Sequence, residues 1–362
     1  PNVPSIIRPQ KHFDTLLYTG NGTSQRISGL EFAPDIVWIK ARTGASNRNH
    51  NLFDTIRVFA GDGTKERIYP NLNNEGQSST YSSKTNLTAF HHDGFSVGSG
   101  TDTNTNTYTY AAWCWKAGGT AVSNSDGSIT SSVSANTKAG FSIVTWTGSG
   151  ADASIGHGLG KKPHVIFVKN RSAADNWRVW WKDATTSDAH ALVLNDTTGV
   201  YTGTDKWYNS PNGNDTTTTT FGVSDDGSTN RSGESFVGYC WAEIPGYSKF
   251  GKYAGNSSTD DAGGGFVYTG FRPALVIYKK ITGSDNWEMH DNVRDTYNPV
   301  IRQLFPNTNS SESSSSSVDF LSNGFKQRNT NGNTNEDGHD YVFMAFAEQP
   351  GITPFDTFPN AR

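Results

Sequence analysis

Cysteine and methionine are scarce, with two of each in 362 residues. Too few thiols are present for a disulfide framework or a cysteine-rich metal site. Long apolar runs are missing too: stretches such as Ala274 to Tyr278 and Val165 to Val168 end after four or five residues, where a membrane helix needs about 20. The opening PNVPSIIRPQKHFD has neither a basic region leading into an apolar one nor a small-residue cleavage site, so no signal peptide is expected. No sign of charge prevails. The 30 Lys and Arg stand against 34 Asp and Glu, without blocks, for a net charge of −4, which argues against a nucleic-acid footprint. Helical periodicity is nearly absent, although residues 181–195 have room for one helical turn.

Aromatic residues are plentiful: 20 Phe, 14 Tyr and 10 Trp. Disordered chains lack such apolar surface, so packed cores are expected.

The chain repeats itself. SGLEFAPDIVWIKAR (28–42), HGLGKKPHVIFVKNR (157–171) and YTGFRPALVIYKKIT (268–282) each place Lys six residues after Pro: Pro34 and Lys40, Pro163 and Lys169, Pro273 and Lys279. Upstream, FDTLLYTGNGT (13–23), FSIVTWTGSGA (141–151) and FVYTG (266–270) each run into Thr-Gly. Downstream, Asn176-Trp177 and Asn286-Trp287 put Trp eight residues after the Lys, where the first copy has Arg48. Each copy closes with a turn segment (92–98, 224–228 and 321–327) and a last strand, YAAWCWKA (110–117), FVGYCWAE (236–243) or YVFMAFAE (341–348). Short β-branched and aromatic runs between Gly, Asn, Asp and Ser clusters indicate an all-β fold of three tandem β-sandwich (jelly-roll-like) modules. The expected division is an N-terminal arm (1–11), modules over 12–117, 140–255 and 256–350, a linker over 118–139 and a tail over 351–362. The serine run at 313–317 is expected to be a mobile loop.

Cys114 and Cys240 hold equivalent repeat positions, with Ala345 as their third counterpart. Such positions lie about one module apart, too far for a disulfide. Both are expected to be buried, unpaired and metal-free, with Cys on one face of its strand and the flanking aromatics on the other.

The usual catalytic patterns are missing. No G-x-S-x-G elbow is present. His91-His92-Asp93 points adjacent side chains to opposite faces and lacks zinc spacing. The stretches 102–107 and 333–338 fail as EF-hands: one has Thr107 in place of Gly, and the other starts with a neutral Asn and has Met344 at position twelve. Solvated Asx turns are the favoured reading, with a looser loop ion as the alternative. Glu243 and Glu348 are repeatable acids, but Ala117 replaces them in the first copy. The glycine-rich stretches lack the Lys and helix of a phosphate cradle. The expectation is a non-enzyme with no cofactor and no metal, binding no nucleic acid and inserting in no membrane.

Aromatic surface chemistry remains. In NWRVWWKD, strand alternation places Trp177 and Trp181 on one face and Trp180 on the other. Trp207 and Tyr208 sit between polar flanks. With Trp287, these are the candidate ligand or interface residues. Ile6 and Ile7 are the apolar anchors of a docking arm.

FVGYCWAEIPGYSKFGKYAGN (236–256), IIRPQKHFDTLLYTGNG (6–22) and the closing segments of 294–350 resemble repeat-bearing proteins of marine and cyanobacterial tailed bacteriophages. Those are described as tail-fibre-like or otherwise structural virion proteins containing a domain of unknown function. The resemblance spans His12 to Gly351. It implies a virion protein of tail fibre or capsid decoration, assembled in the host cytoplasm, with other virion proteins as partners and a host surface glycan as a further contact. A lectin-like glycan or receptor module is the alternative, and a glycan depolymerase the third. The aromatic surplus exceeds what small sandwich cores absorb, so a homo-oligomer is expected, a trimer by analogy with phage fibres, joined through Trp177 to Trp181 or the 207–208 loop.

Overall fold

Runs such as IVWIKA, VIFVKN and LVIYKK are apolar on both sides of the pleat, the mark of strands covered on both faces. The computed structural model describes residues 6, 8–44, 48–57, 65–76, 85–182, 184, 190–203, 205–208, 216–259 and 265–348, and it is all-β. The first unit holds β1 (Phe13–Thr19), β2 (Gln25–Ser28), β3 (Ile36–Ala41), β4 (Asn51–Asp54), β5 (Leu87–His91), β6 (Gly94–Val97) and β7 (Thr109–Trp115). The second holds β8 (Val122–Asn124), β9 (Ser131–Asn136), β10 (Phe141–Thr147), β11 (Ala153–Gly156), β12 (Val165–Asn170), β13 (Arg178–Trp181), β14 (Leu192–Val193), β15 (Thr220–Val223) and β16 (Ser235–Trp241). The third holds β17 (Ser248–Ala254), β18 (Phe266–Tyr268), β19 (Pro273–Lys280), β20 (Glu288–Asp291), β21 (Val318–Leu321), β22 (Gly324–Gln327) and β23 (Asp340–Ala347).

Three antiparallel sheets share one strand order: β1-β7-β3-β4, β10-β16-β12-β13 and β17-β23-β19-β20. Each is faced by a smaller sheet: β2-β6-β5, β11-β15 or β18-β22-β21. Between each pair lies a private core, in the first unit Val37, Ile39 and Cys114 with Ile27 and Phe95. The opposite faces of the large sheets converge on one core shared by all three units, where Trp115, Trp241 and Phe346 meet. Trp115 lies 6.4 Å from Trp241 and 5.6 Å from Phe346, ring centre to ring centre. Cys114 and Cys240 are free and buried on the private faces, and burial pushes both thiols up.

The Thr-Gly repeat has a steric origin. A Cβ at Gly20 would lie 2.2 Å from the Thr105 carbonyl oxygen, and one at Gly148 would lie 2.1 Å from that of Arg231. Gly255 meets the same obstacle in the Glu336 oxygen, at 2.1 Å. A buried asparagine pins the turn that follows: the Asn104, Asn230 and Asn335 side chains accept the N–H of Asn21, Ser149 and Asn256. The Asx stretches at 102–107 and 333–338 therefore hold protein groups, and a short helix, Thr101–Asn104, overlaps the first of them.

Several boundaries differ from expectation. The third unit begins at Ser248: β17 pairs with β23 as β1 pairs with β7, so KYAGN, and not FVYTG, matches LYTGN. FVYTG supplies β18, the counterpart of β2 and β11. Residues 118–139 are no free linker, because β8 and β9 extend the second sheet beside β10. In the second unit the Phe-bearing closing strand is β15, just before SDDGS. Within 181–195 the described residues contribute to β13 and β14. The serine run is tied down by a bridge from Ser313 to Gln303. Ile6 is buried in the shared core rather than held out on an arm. Ile7 and the 351–362 tail lie outside the described residues.

Candidate functional site: the seams between units

The end of each central strand carries a buried lysine that reaches a carbonyl of the neighbouring unit. Lys40 Nζ donates to Asn309 O (3.2 Å), Lys169 to Asn73 O (3.2 Å) and Lys279 to Thr197 O (2.8 Å). Contacts thus run from first unit to third, second to first and third to second, closing a ring. Burial lowers all three ammonium groups to about 8.

Four residues before each of these carbonyls, a second one receives a ring N–H. Trp177 Nε1 donates to Tyr69 O (2.9 Å) and Trp287 Nε1 to Val193 O (2.8 Å). In the first unit His50 does the same: its Nδ1 accepts from Trp38 Nε1, leaving Nε2 to donate to Phe305 O at 3.0 Å. Burial holds His50 well below its usual range, with the Lys40 charge adding to the effect. Asn71, Asn195 and Asn307 accept the backbone N–H of His50, Trp177 and Trp287. The same amides donate to Asn49, Asn176 and Asn286. The counterpart of Asn176-Trp177 in the first copy is therefore Asn49-His50, displaced by two residues relative to Lys40, and not Arg48.

The seams then diverge. Between the first and second units, Asp54 holds Arg57 (2.6 Å), Arg57 reaches Glu66 (3.3 Å), and Glu66 takes the guanidinium of Arg171. The Tyr239 hydroxyl donates to Asp54 at 2.7 Å. Between the third and first units, Asp291, Arg294, Glu312 and Arg42 repeat the chain, at 2.5, 3.1 and 2.9 Å. Trp113 Nε1 donates to Asp291 at 3.0 Å in the place of Tyr239. Burial alone would raise the Asp54 carboxyl, but Arg57 and the Tyr239 hydroxyl hold it below the carboxylate range. Glu312 follows the same logic, with Arg42 and Arg294 outweighing burial. Among the described residues the third seam has no such chain: Trp181 stands where Asp54 and Asp291 stand, Ala184 replaces the arginine, Ile281 matches Arg42 and Arg171, and Met344 matches Tyr239 and Trp113.

A hydroxyl beside a carboxylate beside a guanidinium looks like catalytic equipment. Asp54, Arg57 and Tyr239 are wholly enclosed, however, so no substrate reaches them, and burial pushes the Tyr239 hydroxyl far up, away from ionisation. The chemistry available is the locking of one unit to the next. Among the described residues, no group of three or more His, Cys, Asp or Glu is placed to hold a metal.

The aromatic candidates meet the same fate. Trp177, Trp181 and Trp287 lie in the shared core, and Trp180 and Trp207 lie in the private core of the second unit. Only Tyr208 is half exposed. The pleat sorted Trp177 and Trp181 from Trp180 as expected, but both faces are interior. Of the rings that the sequence assigned to ligands or to other subunits, Trp177, Trp181 and Trp287 are consumed between units of one chain and Trp180 and Trp207 within the second unit. The seam residues Asp54, Arg57, Asp291 and Arg294 went unnoticed, although FDTIR (53–57) and HDNVR (290–294) repeat Asp-x-x-Arg and YPNLN (69–73) and FPNTN (305–309) repeat an aromatic-Pro-Asn-x-Asn pattern.

A family model described as a domain of unknown function, DUF7483, matches residues 8–350. No curated protein and no solved structure matches the chain.

Proposed function

Because the chain belongs to the DUF7483 family, whose description names no activity, we propose a role from the chain itself: a non-enzymatic structural building block of a bacteriophage virion, tail-fibre-like or decorating the capsid. The observation that carries this reading is the enclosure of its chemistry-bearing groups, since both Asp-Arg-Glu-Arg chains, the three lysines and Trp177, Trp181 and Trp287 hold units together, while Trp180 and Trp207 fill the core of the second unit. A closed ring of interlocked β units suits a part that must persist outside a cell. The resemblance of residues 6–22, 236–256 and 294–350 to phage structural proteins supplies the setting. The lectin-like alternative loses its tryptophan platform and keeps, of those candidates, only half-exposed Tyr208. Mass spectrometry and cryo-electron microscopy of purified particles test the reading. The chain is expected at stoichiometric copy number with density on tail or capsid, and its absence from particles while abundant in infected cells would overturn the proposal.

A further inference from the structure

Among the three small sheets, one edge stands out. In the second unit, edge strand β11 is covered by the chain itself: Ile129 N–H donates to Ser154 O at 3.1 Å, Ser131 Oγ donates to Gly156 O at 2.8 Å, and Ser128 and Ser154 exchange hydrogen bonds. The covering residues come from the 118–139 segment that precedes β10, the counterpart of β1 and β17. The third unit has no such segment, because residues 242–247 alone separate β16 from β17.

Strand β18 is the counterpart of β11, and it is the edge of its sheet. Its residues Phe266 and Tyr268 match Ser154 and Gly156 in register. Thr269 N–H bonds inward to Asn323 O. Backbone direction alternates along a strand, so the N–H and C=O groups of Phe266 and Tyr268 point to the side on which no strand pairs with β18 among the described residues. Their side chains are 46% and 64% exposed. Edge strands are usually blunted by charge, proline or a bulge. The equivalent strand of the first unit has Arg26, paired with Asp93, whereas Phe-Val-Tyr carries none of these devices.

We infer that β18 is a self-association edge, on which a second copy of this chain adds its own β18 in antiparallel fashion about a two-fold axis through Val267. The segment is self-complementary in that arrangement. With Val267 opposite Val267, Phe266 of each copy faces Tyr268 of the other. The outward backbone groups of Phe266 and Tyr268 form the hydrogen-bonded pairs, and two aromatic cross-strand pairs add to them. The symmetry is isologous and closes at two copies. A three-residue strand is short for an interface, so association is expected at about micromolar concentrations rather than as an obligate dimer. The inference adds self-association to the proposed virion role and rests on that reading only for its purpose.

The test uses the purified full chain in analytical ultracentrifugation across a concentration series. A reversible monomer–dimer equilibrium is expected. Phe266→Lys with Tyr268→Lys should abolish it, and the exposed positions leave the thermal midpoint unchanged. Mixing that variant with Phe266→Glu, Tyr268→Glu should restore a heterodimer, because antiparallel pairing sets each Lys opposite a Glu. A monomeric wild type at the highest concentration would overturn the inference, as would an oligomer indifferent to both variants. Selective binding of a glycan by a monomeric wild type, lost in the lysine variant, would also overturn it and reassign the rings to sugar stacking. Because the measurement is made on purified protein, its failure leaves the particle test of the virion reading untouched.

Discussion

Two seams of this molecule are ionic and one is apolar, although all three join the same strands in the same way. Where Asp54 or Asp291 is present, its arginine, the glutamate, the second arginine and an aromatic donor are all present. Where Trp181 replaces the aspartate, each of the four matched positions that can be followed is apolar. Among the described residues, no seam carries only part of the network. This is the expected outcome if a buried charge is tolerable only with its complete set of partners, while the complete set and an apolar filling are close in free energy.

The most damaging way to break the comparison is to remove one member. Asp54→Ala leaves Arg57 and the Tyr239 hydroxyl enclosed, and urea denaturation should show a loss of about 3–5 kcal/mol. A loss below about 1 kcal/mol, the scale of an exposed pair, would mean that solvent reaches the seam.

Converting the first seam to the third's chemistry, with Asp54→Leu, Arg57→Met, Glu66→Leu and Arg171→Ile together in a Tyr239→Phe background that leaves no hydroxyl behind, should be far milder than Asp54→Ala and range from neutral to a gain of about 4 kcal/mol. A larger loss for the combined variant would show that the ionic network stabilises outright.

Tyr239→Phe trims a single donor from Asp54 and should lose about 1–2 kcal/mol, whereas Met344→Leu at the matching position of the apolar seam should lose less than about 1.5 kcal/mol. Equal effects at the two seams would argue that the hydroxyl contributes nothing.

Titration separates the seams more gently. His50 is neutral in the fold and protonated in the unfolded chain below its ordinary 6.5. The unfolded state then binds more protons, and stability falls as pH drops through that value. Hydrogen exchange should therefore loosen the seam around His50 and Phe305 before that around Trp287 and Val193, and His50→Gln should remove the difference. The three lysines act at every seam in the opposite range. Folded near 8 and unfolded at 10.5, they leave the native state with fewer protons over that window, so the melting midpoint should rise by a few degrees from pH 8 to 9.5. A flat profile would place the ammonium groups in water.

Much of the framework was legible because both faces of the central strands are buried. Pro34 to Lys40 and its two copies stand out as uninterrupted apolar runs, and the aligned last strands show the repeat a second time. The start of the third unit was hidden by one change, Ala254 in place of the Thr that precedes Gly20 and Gly148, which left FVYTG as the better match. A two-residue offset hid Asn49-His50 behind Arg48. The linker looked free because Ser and Thr dominate it, yet a sheet edge recruits such a segment through its backbone. The seams were the least legible part. Asp-x-x-Arg occurs twice, but its third counterpart is Trp181 with Ala184, and only tertiary structure reveals that the apolar set and the ionic set occupy one place.

The shared core also bears on how the molecule comes apart. Trp115, Trp241 and Phe346 belong to different units but touch a common centre, so none of the three can melt without opening the interior of the other two. Beads on a string would give separable calorimetric peaks. Here heat should produce one, with calorimetric and van't Hoff enthalpies in agreement, and a single excised unit should not hold a native structure.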